Sequence, residues 1–398
     1  MLNPRLTHLP DYAFPRLRAL LKDVTPGGEV VDMTIGEPRH GAPAFVSRIL
    51  GEDGALYGKY PPIAGTDEWA AAVTGWLTRR YGLKDGQVTA DHVLPLVGTR
   101  EGLFSIAFVV IPPEVDGRRP AVLMPNPFYQ CYTAAAHAAG ADAVYVPAGP
   151  DTGFLPDFHA LPDDVKARTK LVYLCSPANP QGAVADAAYL QRLITWVRAQ
   201  DAMLVADECY SEIYSGVPPV GVLQVCAQMT GSGDPFRNVL AFHSLSKRSS
   251  LPGLRSGFVA GDITLMAAFR RFRSYAGPTT PIPVLTAAAA CWNDEDHVAA
   301  NRALYQRKFD LADQILSGRL GYYRPEGGFF LWLDVEDGER AALTLWRQAG
   351  VRVLPGAYLA QTDASGINPG RAYVRVALVD DLETTEKGLL AVRRHLAP

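Results

Sequence analysis

FHSLSKRSSLPGLRSG, from Phe242 to Gly257, follows directly on the apolar run Val239 to Phe242. A run of that length and composition reads as the end of a buried strand, so Lys247 stands where a strand gives way to a turn rather than on a solvated helix. An amine in that position is a candidate covalent catalyst. Ser244, Ser246 and Arg255 add hydroxyls and a guanidinium fork, the usual polar partners of phosphate oxygens. The plain alternative is a surface lysine beside a loop.

Working outward, short apolar runs alternate with helical patterns. The runs are His92 to Val97, Ala121 to Met124, Ala143 to Val146, Lys170 to Cys175 and Ala202 to Glu208. Between them, Trp69, Val73, Trp76 and Leu77 recur at helical spacing, and a second helix is expected from Asp186 to Gln200. This alternation indicates βαβ units, hence an α/β fold with a mostly parallel central sheet flanked by helices. Ligands of such sheets bind outside the carboxyl ends of the strands. Thr99 and Arg100, Tyr129, Asn179, Asp207 and Tyr210, and Ser244 to Lys247 all lie just past predicted strand ends, so they can converge on one crevice.

The flanking regions read differently. A helix around Phe14 to Leu21 and a short apolar piece, Val30 to Ile35, lead into GEPRHGAP, which holds Gly36, Arg39 and His40. From Pro283 the pattern changes to one long helical stretch through Phe309 and Ile315, then the run Gly327 to Val335, a helix near Ala341 to Ala349 and a last strand, Tyr373 to Leu378, carrying Arg375. The expected division is a large domain over 45–282 and a smaller α+β domain made of 1–44 with 283–398.

The 398 residues are 48% hydrophobic and 20% charged, enough for two cored domains. A net charge of −3 gives no basic field to draw nucleic acid or an anionic membrane, so neither is an expected partner. The five cysteines are scattered, with no CxxC pair and no histidine at ligand spacing, which points to a reduced, cytoplasmic protein without a metal. The first residues, MLNPRLTHLPDYAF, show neither a secretory pattern nor a long apolar run.

The strand-end residues suit a phosphorylated pyridine aldehyde. Lys247 can condense with the aldehyde and then carry a proton, and Asp207 can keep a ring nitrogen protonated. Asn179 and Tyr210 can hydrogen-bond a ring oxygen, and Tyr129 offers a face for stacking. Singly, each has a plainer reading: Asp207 as a helix cap, the tyrosines as core aromatics, Asn179 as a turn residue.

Taken together, SPANPQG with Asn179, DECY with Asp207 and Tyr210, SLSKRSSLPGLRSG and YVRVAL with Arg375 resemble the fold-type I pyridoxal-phosphate aminotransferases of the aspartate aminotransferase superfamily. The resemblance covers essentially the whole chain. It implies pyridoxal 5′-phosphate as cofactor, with Lys247 as its Schiff-base residue, Asp207 on the pyridine nitrogen, Asn179 and Tyr210 on the ring oxygen and Tyr129 stacked on the ring. Ser244, Ser246, Arg255 and the backbone of Thr99 and Arg100 would take the phosphate. Arg375 would fork the substrate α-carboxylate, with Gly36 packed against it; the plainer reading of Arg375 is a strand arginine facing solvent. Tyr60 matches a residue given across a dimer interface to the neighbouring phosphate site, which implies a homodimer acting on amino acids and 2-oxo acids.

Within that superfamily, NPRLTHLPDYAFPRLRALL, IGEPRHGAP, PNPFYQCY and YAGPTTPIP are most similar to the N-succinyl-LL-diaminopimelate aminotransferases of lysine biosynthesis. Arg39 and His40 stand where many aminotransferases have an acidic and an aromatic residue. A basic pair suggests that Arg39 meets a distal carboxylate; the plainer reading is an exposed loop arginine. Transaminases for aromatic amino acids, alanine or other keto acids would share every cofactor residue, and a lyase of the same fold would differ only in product. A DNA-binding regulator on this fold is disfavoured by the short N-terminal arm.

Overall fold

The computed structural model describes residues 7, 9, 11–229 and 233–397. Of the opening motif NPRLTHLP, only Thr7 and Leu9 lie within the described residues. In chain order the strands are β1 (Val31–Asp32), β2 (Val93–Leu96), β3 (Ala121–Asn126), β4 (Asp142–Pro147), β5 (Thr169–Cys175), β6 (Met203–Asp207), β7 (Val239–Ser244), β8 (Gly257–Gly261), β9 (Phe330–Asp334), β10 (Val351–Arg352), β11 (Leu354–Pro355) and β12 (Tyr373–Ala377).

Seven of these form the central sheet, in the order β2-β8-β7-β6-β5-β3-β4. Only β8 runs antiparallel, against β2 on one side and β7 on the other. The continuous apolar runs follow from this placement, because a parallel strand covered by helices must be apolar on both faces. Trp69, Trp76, Leu285 and Trp292 pack on one face; Leu103, Tyr132 and Phe269 pack on the other. The α/β reading of the sequence is borne out.

Helix ends follow local chemistry. Thr66 caps the helix Asp67–Tyr81 by accepting the Trp69 N–H at 3.2 Å, and Gly82 closes it in the left-handed conformation. Asp186 caps Ala187–Ala199 through the Tyr189 N–H at 2.6 Å.

The smaller unit holds the antiparallel sheet β11-β12-β9. β1 joins it from the N-terminal arm by pairing parallel with β10, and the helix Ala13–Leu21 packs through Leu17 and Leu21 in one cluster with Trp332 and Trp346. The expected long helix from Pro283 is in fact two, Ile282–Asn293 and Asp296–Leu316. The break has a local cause: Asp294 leaves helical geometry and turns its carboxylate back onto the N–H of His297, at 3.0 Å. Ile282–Asn293 packs on Asp67–Tyr81, and its Leu285 and Trp292 join the core under the large sheet. Ile282–Asn293, which the division expected at 282/283 would assign to the smaller domain, thus packs with the core of the large sheet. Among the described residues no helix is long and apolar enough to cross a membrane.

Candidate active site

Because β2, β3, β5, β6 and β7 run the same way, their carboxyl ends share one edge of the sheet. Antiparallel β8 begins at that same edge, which brings Arg255, two residues before it, beside the residues that end the others. A cavity of about 370 Å³ opens there between the sheet edge and the smaller unit. Thr99, Arg100, Tyr129, Asn179, Asp207, Tyr210, Ser244, Ser246, Lys247 and Arg255 line it from the large sheet, and Gly36 and Arg375 line it from the other side.

Lys247 sits on the single turn Leu245–Arg248, whose first residue follows Ser244; the Ser244 hydroxyl caps it by accepting the Ser246 N–H at 3.1 Å. Its Nζ donates to the Gly36 carbonyl and lies over the rings of Phe329 (5.3 Å) and Tyr210 (6.0 Å). Burial among these groups brings the amine down from 10.5 to about 8, with nearby Cys209 acting against the shift and Arg375 adding to it. A neutral amine is thus accessible near physiological pH.

Asp207 ends β6 and is only 6% exposed. One oxygen accepts the Tyr132 hydroxyl at 2.8 Å and the other the Cys209 N–H at 3.3 Å; the chain beyond Asp207 is a turn, so the residue caps no helix. Burial pushes its pKa up, and the hydrogen bonds from Cys209 and Tyr132 oppose that. Among the described residues no lysine or arginine forms an ion pair with it, and beside these hydrogen bonds the nearby His243 favours its charged form; a buried carboxylate of this kind is costly without a cation.

Arg375, from β12, is 5% exposed and so does not face solvent. Its Nη1 donates to Asn179 Oδ1 at 3.2 Å and its Nη2 to the Thr34 carbonyl at 2.7 Å, while Nε is buried without a hydrogen-bond partner among the described residues. Phe330 lies under the guanidinium, 4.2 Å from its carbon. Burial lowers its pKa to about 10, which leaves it cationic at neutral pH. A side chain at Gly36 would collide with the rings of Phe330 and Phe329.

At the other end of the cavity, Arg255 is anchored by the carbonyls of Pro252 (3.0 Å) and Val97 (3.3 Å), beside Ser244 and Ser246, whose hydroxyls are 3.0 Å apart. Gly98 adopts φ +72°, and a Cβ there would strike the Arg255 guanidinium, so only glycine lets the arginine lie against this loop. Tyr129 accepts a hydrogen bond from Arg100 Nε at 2.5 Å.

Two sequence candidates are not brought into the cavity. Tyr60 is fully exposed in the single chain. Arg39, expected to meet a distal substrate carboxylate, does not line the cavity in the single chain and pairs with Asp380, two residues past Leu378. Sequence reasoning missed Tyr132 and Cys209, which also line the cavity. Tyr132 falls in the first turn of the helix Gln130–Ala139, next to Tyr129 at its N-cap, and that spacing was the available signal.

Comparison with known proteins fits this geometry. The sequence model described as "Aminotransferase class I and II" matches residues 28–386. The chain belongs to the class I and II aminotransferase family. An LL-diaminopimelate aminotransferase from Dehalococcoides mccartyi is 30% identical, over 98% of this chain and 97% of the relative. The 4-dedimethylamino-4-oxo-anhydrotetracycline transaminase OxyQ of Streptomyces rimosus is 33% identical, over 87% of this chain and 89% of OxyQ. An aminotransferase structure from Neisseria meningitidis superposes with a TM-score of 0.93 at 40% identity, covering 99% of this chain and 100% of that one.

Aminotransferases of this family work with pyridoxal 5′-phosphate, and the residues here fit that group. Among the described residues Asp207 is a buried carboxylate with no lysine or arginine in an ion pair with it, Lys247 is a buried amine in the same cavity, and Arg255 lies beside two serine hydroxyls at the opposite end.

Proposed function

We propose that this aminotransferase exchanges an amino group between glutamate and the diaminopimelate skeleton. In the finer form of the reading, it interconverts N-succinyl-2-amino-6-oxopimelate plus glutamate with N-succinyl-LL-2,6-diaminopimelate plus 2-oxoglutarate. The observation that carries the aminotransferase chemistry is the meeting of Lys247, Asp207 and Arg375 in one cavity. The diaminopimelate skeleton is supported by full-length relatives named as LL-diaminopimelate aminotransferases. The succinylated form is supported by the likeness of IGEPRHGAP and YAGPTTPIP.

When bound, pyridoxal 5′-phosphate supplies an aldehyde that condenses with amines and a pyridinium ring that withdraws the electrons of a broken Cα–H bond. Lys247 would hold it, and Lys247 Nζ would be the base that takes the proton from Cα of the amino acid. In the return half it delivers a proton to Cα of the incoming keto acid. Asp207, itself held by Tyr132, would keep the ring nitrogen protonated. Asn179 and Tyr210 would hydrogen-bond the ring oxygen, and Tyr129 would stack on the ring. Ser244, Ser246, Arg255 and the N–H groups of Thr99 and Arg100 would hold the phosphate. Arg375 would orient the α-carboxylate by a fork that an isolated ammonium could not reproduce, and Gly36, close-packed on Phe329 and Phe330, would lie against it.

The homodimer belongs to the same reading. A second cavity, about 760 Å³, adjoins the first, is lined by Phe104, Phe108 and Phe272, and shares Arg100 and Arg255 with it. An apolar chamber beside the phosphate cup and a fully exposed Tyr60 support a second copy seated here, with its Tyr60 reaching Arg255's site.

The substrate assignment is tested by single half-reactions, followed through the cofactor's absorbance, with glutamate, N-succinyl-LL-diaminopimelate, LL-diaminopimelate, acetyl-ornithine, aspartate and phenylalanine as donors. The reading requires the succinylated donor to lead together with glutamate. If it reacts no faster than phenylalanine, the substrate fails while the aminotransferase chemistry stands.

A further inference from the structure

Arg39 and His40 follow the cavity residue Gly36, yet neither lines the cavity. His40 instead enters a buried polar chain. Lys308, on the helix Asp296–Leu316, is 1% exposed; its Nζ lies 3.2 Å from the Leu378 carbonyl and 2.8 Å from His40 Nε2. His40 Nδ1 lies 2.7 Å from Asn301 Oδ1, and Asn301, 7% exposed, directs Nδ2 at the carbonyls of Lys247 (3.2 Å) and Arg248 (3.1 Å).

The donors and acceptors fix one direction. An ammonium only donates, so His40 Nε2 must be bare; a neutral ring then carries its proton on Nδ1 and gives it to Asn301 Oδ1. Asn301 is left with its amide N–H groups for the two carbonyls. Flipping that amide would set donor against donor at His40 and oxygen against oxygen at Lys247. Those carbonyls close the one-turn helix that carries Lys247, where carbonyls have no partner within the helix.

We propose that His40 is a positioning residue for Lys247: neutral and protonated on Nδ1, it completes a one-way hydrogen-bond chain from Lys308 through Asn301 to the backbone of the catalytic turn. Gly36, in the same loop, accepts from Lys247 Nζ, so this loop grips the lysine at its amine and, through Asn301, at its main chain. The Ser250 hydroxyl fastens the loop from the other side by donating to the His40 carbonyl at 2.8 Å. The Tyr305 ring, 4.5 Å from the imidazole, and Arg39, paired with Asp380, complete its surroundings. Burial and the Lys308 charge both favour the neutral imidazole, while the Asn301 hydrogen bond opposes them; burial lowers the Lys308 amine to about 8, and Asp380 and Asp381 act against that, so it remains mainly an ammonium at neutral pH. The effect on turnover rests on the reading of Lys247 as the proton-transfer base.

Nitrogen-15 histidine spectra of the holoenzyme, with His40 assigned by difference from His40→Gln, should show the Nδ1–H tautomer near neutral pH. An Nε2–H or doubly protonated His40 overturns the chain whatever Lys247 does. In kinetics, His40→Ala and Asn301→Asp should each lower kcat about tenfold, roughly the worth of one lost buried hydrogen bond, with KM changed by less than about twofold. Both should also shift the pH titration of the cofactor's absorbance. His40→Gln should recover most of the rate, because its amide oxygen and nitrogen can accept from Lys308 and donate to Asn301. Equal impairment of the Gln and Ala variants at equal melting temperature contradicts the proposal. If Lys247→Ala retains turnover, the assignment of the base fails, a result the tautomer measurement leaves separate.

Discussion

Arg375 reaches from β12 of the smaller unit to Asn179 past the end of β5, its Nη1 donating to Oδ1 at 3.2 Å. The contact ties the proposed carboxylate fork to the proposed ring-oxygen ligand across the cavity. The guanidinium lines the cavity while remaining buried, so a bound carboxylate would meet a cation already held in place by Asn179 and the Thr34 carbonyl. Arg375→Lys keeps the charge but loses the fork. It should raise KM for every amino donor by about 10- to 100-fold, the worth of a charge-assisted hydrogen bond. Steady-state kinetics with a mono- and a dicarboxylic donor check this, and a KM unchanged for both removes Arg375 from the carboxylate site.

Tyr132 and Asp207 give the second prediction. Tyr132→Phe deletes the 2.8 Å hydrogen bond that helps keep a buried carboxylate ionised. Cofactor affinity should fall about tenfold or more, on the scale of a hydrogen bond to a charged group. Asp207→Ala should cost more, on the order of the 3–5 kcal/mol lost when one partner of a buried ion pair is removed. Absorbance titration of the cofactor-free variants distinguishes the two; equal affinities in wild type and Tyr132→Phe would contradict the linkage.

The depressed pKa of Lys247 sets a pH dependence. In the cofactor-free fold the amine titrates near 8 against 10.5 ordinarily, so between those values the unfolded chain binds more protons and stability rises with pH. Below about 8 the full penalty of a buried ammonium is present, on the order of 3 kcal/mol. Lys247→Met should therefore melt higher than wild type at neutral pH, by an amount that shrinks as pH climbs from 8 towards 10.5. Melting curves of the two cofactor-free proteins across that range measure it; a difference independent of pH would contradict it.

Arg39, with its side chain 42% exposed and paired to Asp380, is expected to matter little for substrate. Arg39→Ala should change stability by no more than about 1 kcal/mol, the range of surface ion pairs. It should also leave the ratio of KM values for mono- and dicarboxylic donors where it was. A selective rise for the dicarboxylic donor would return Arg39 to the substrate site.

Much of this was legible along the chain because each cavity residue of the large sheet stands next to its own strand. Asp207 follows LeuValAla, and Lys247 follows a run that ends at Phe242, so strand ends could be found without knowing their neighbours. What the chain order hid are contacts between distant segments. Tyr132 meets a carboxylate 75 positions on, and His40 meets a lysine 268 positions on. Lys308 sits mid-helix among polar residues and looks like part of a solvated face, yet it is buried because the arm folds back over that helix. Arg39 and Asp380 are likewise joined only by the packing of the two termini of the smaller unit.

Lys308 also supplies the sharpest control on the central claim, that Lys247 is the residue to which the cofactor is joined. Both lysines are buried and both are brought to about 8, but Lys308 is committed to His40 and Leu378 outside the cavity. Borohydride reduction of the holoenzyme followed by peptide mapping locates the attached pyridoxyl group. The account predicts it on Lys247 alone; a label on Lys308, or on any other lysine with Lys247 unmodified, would contradict it.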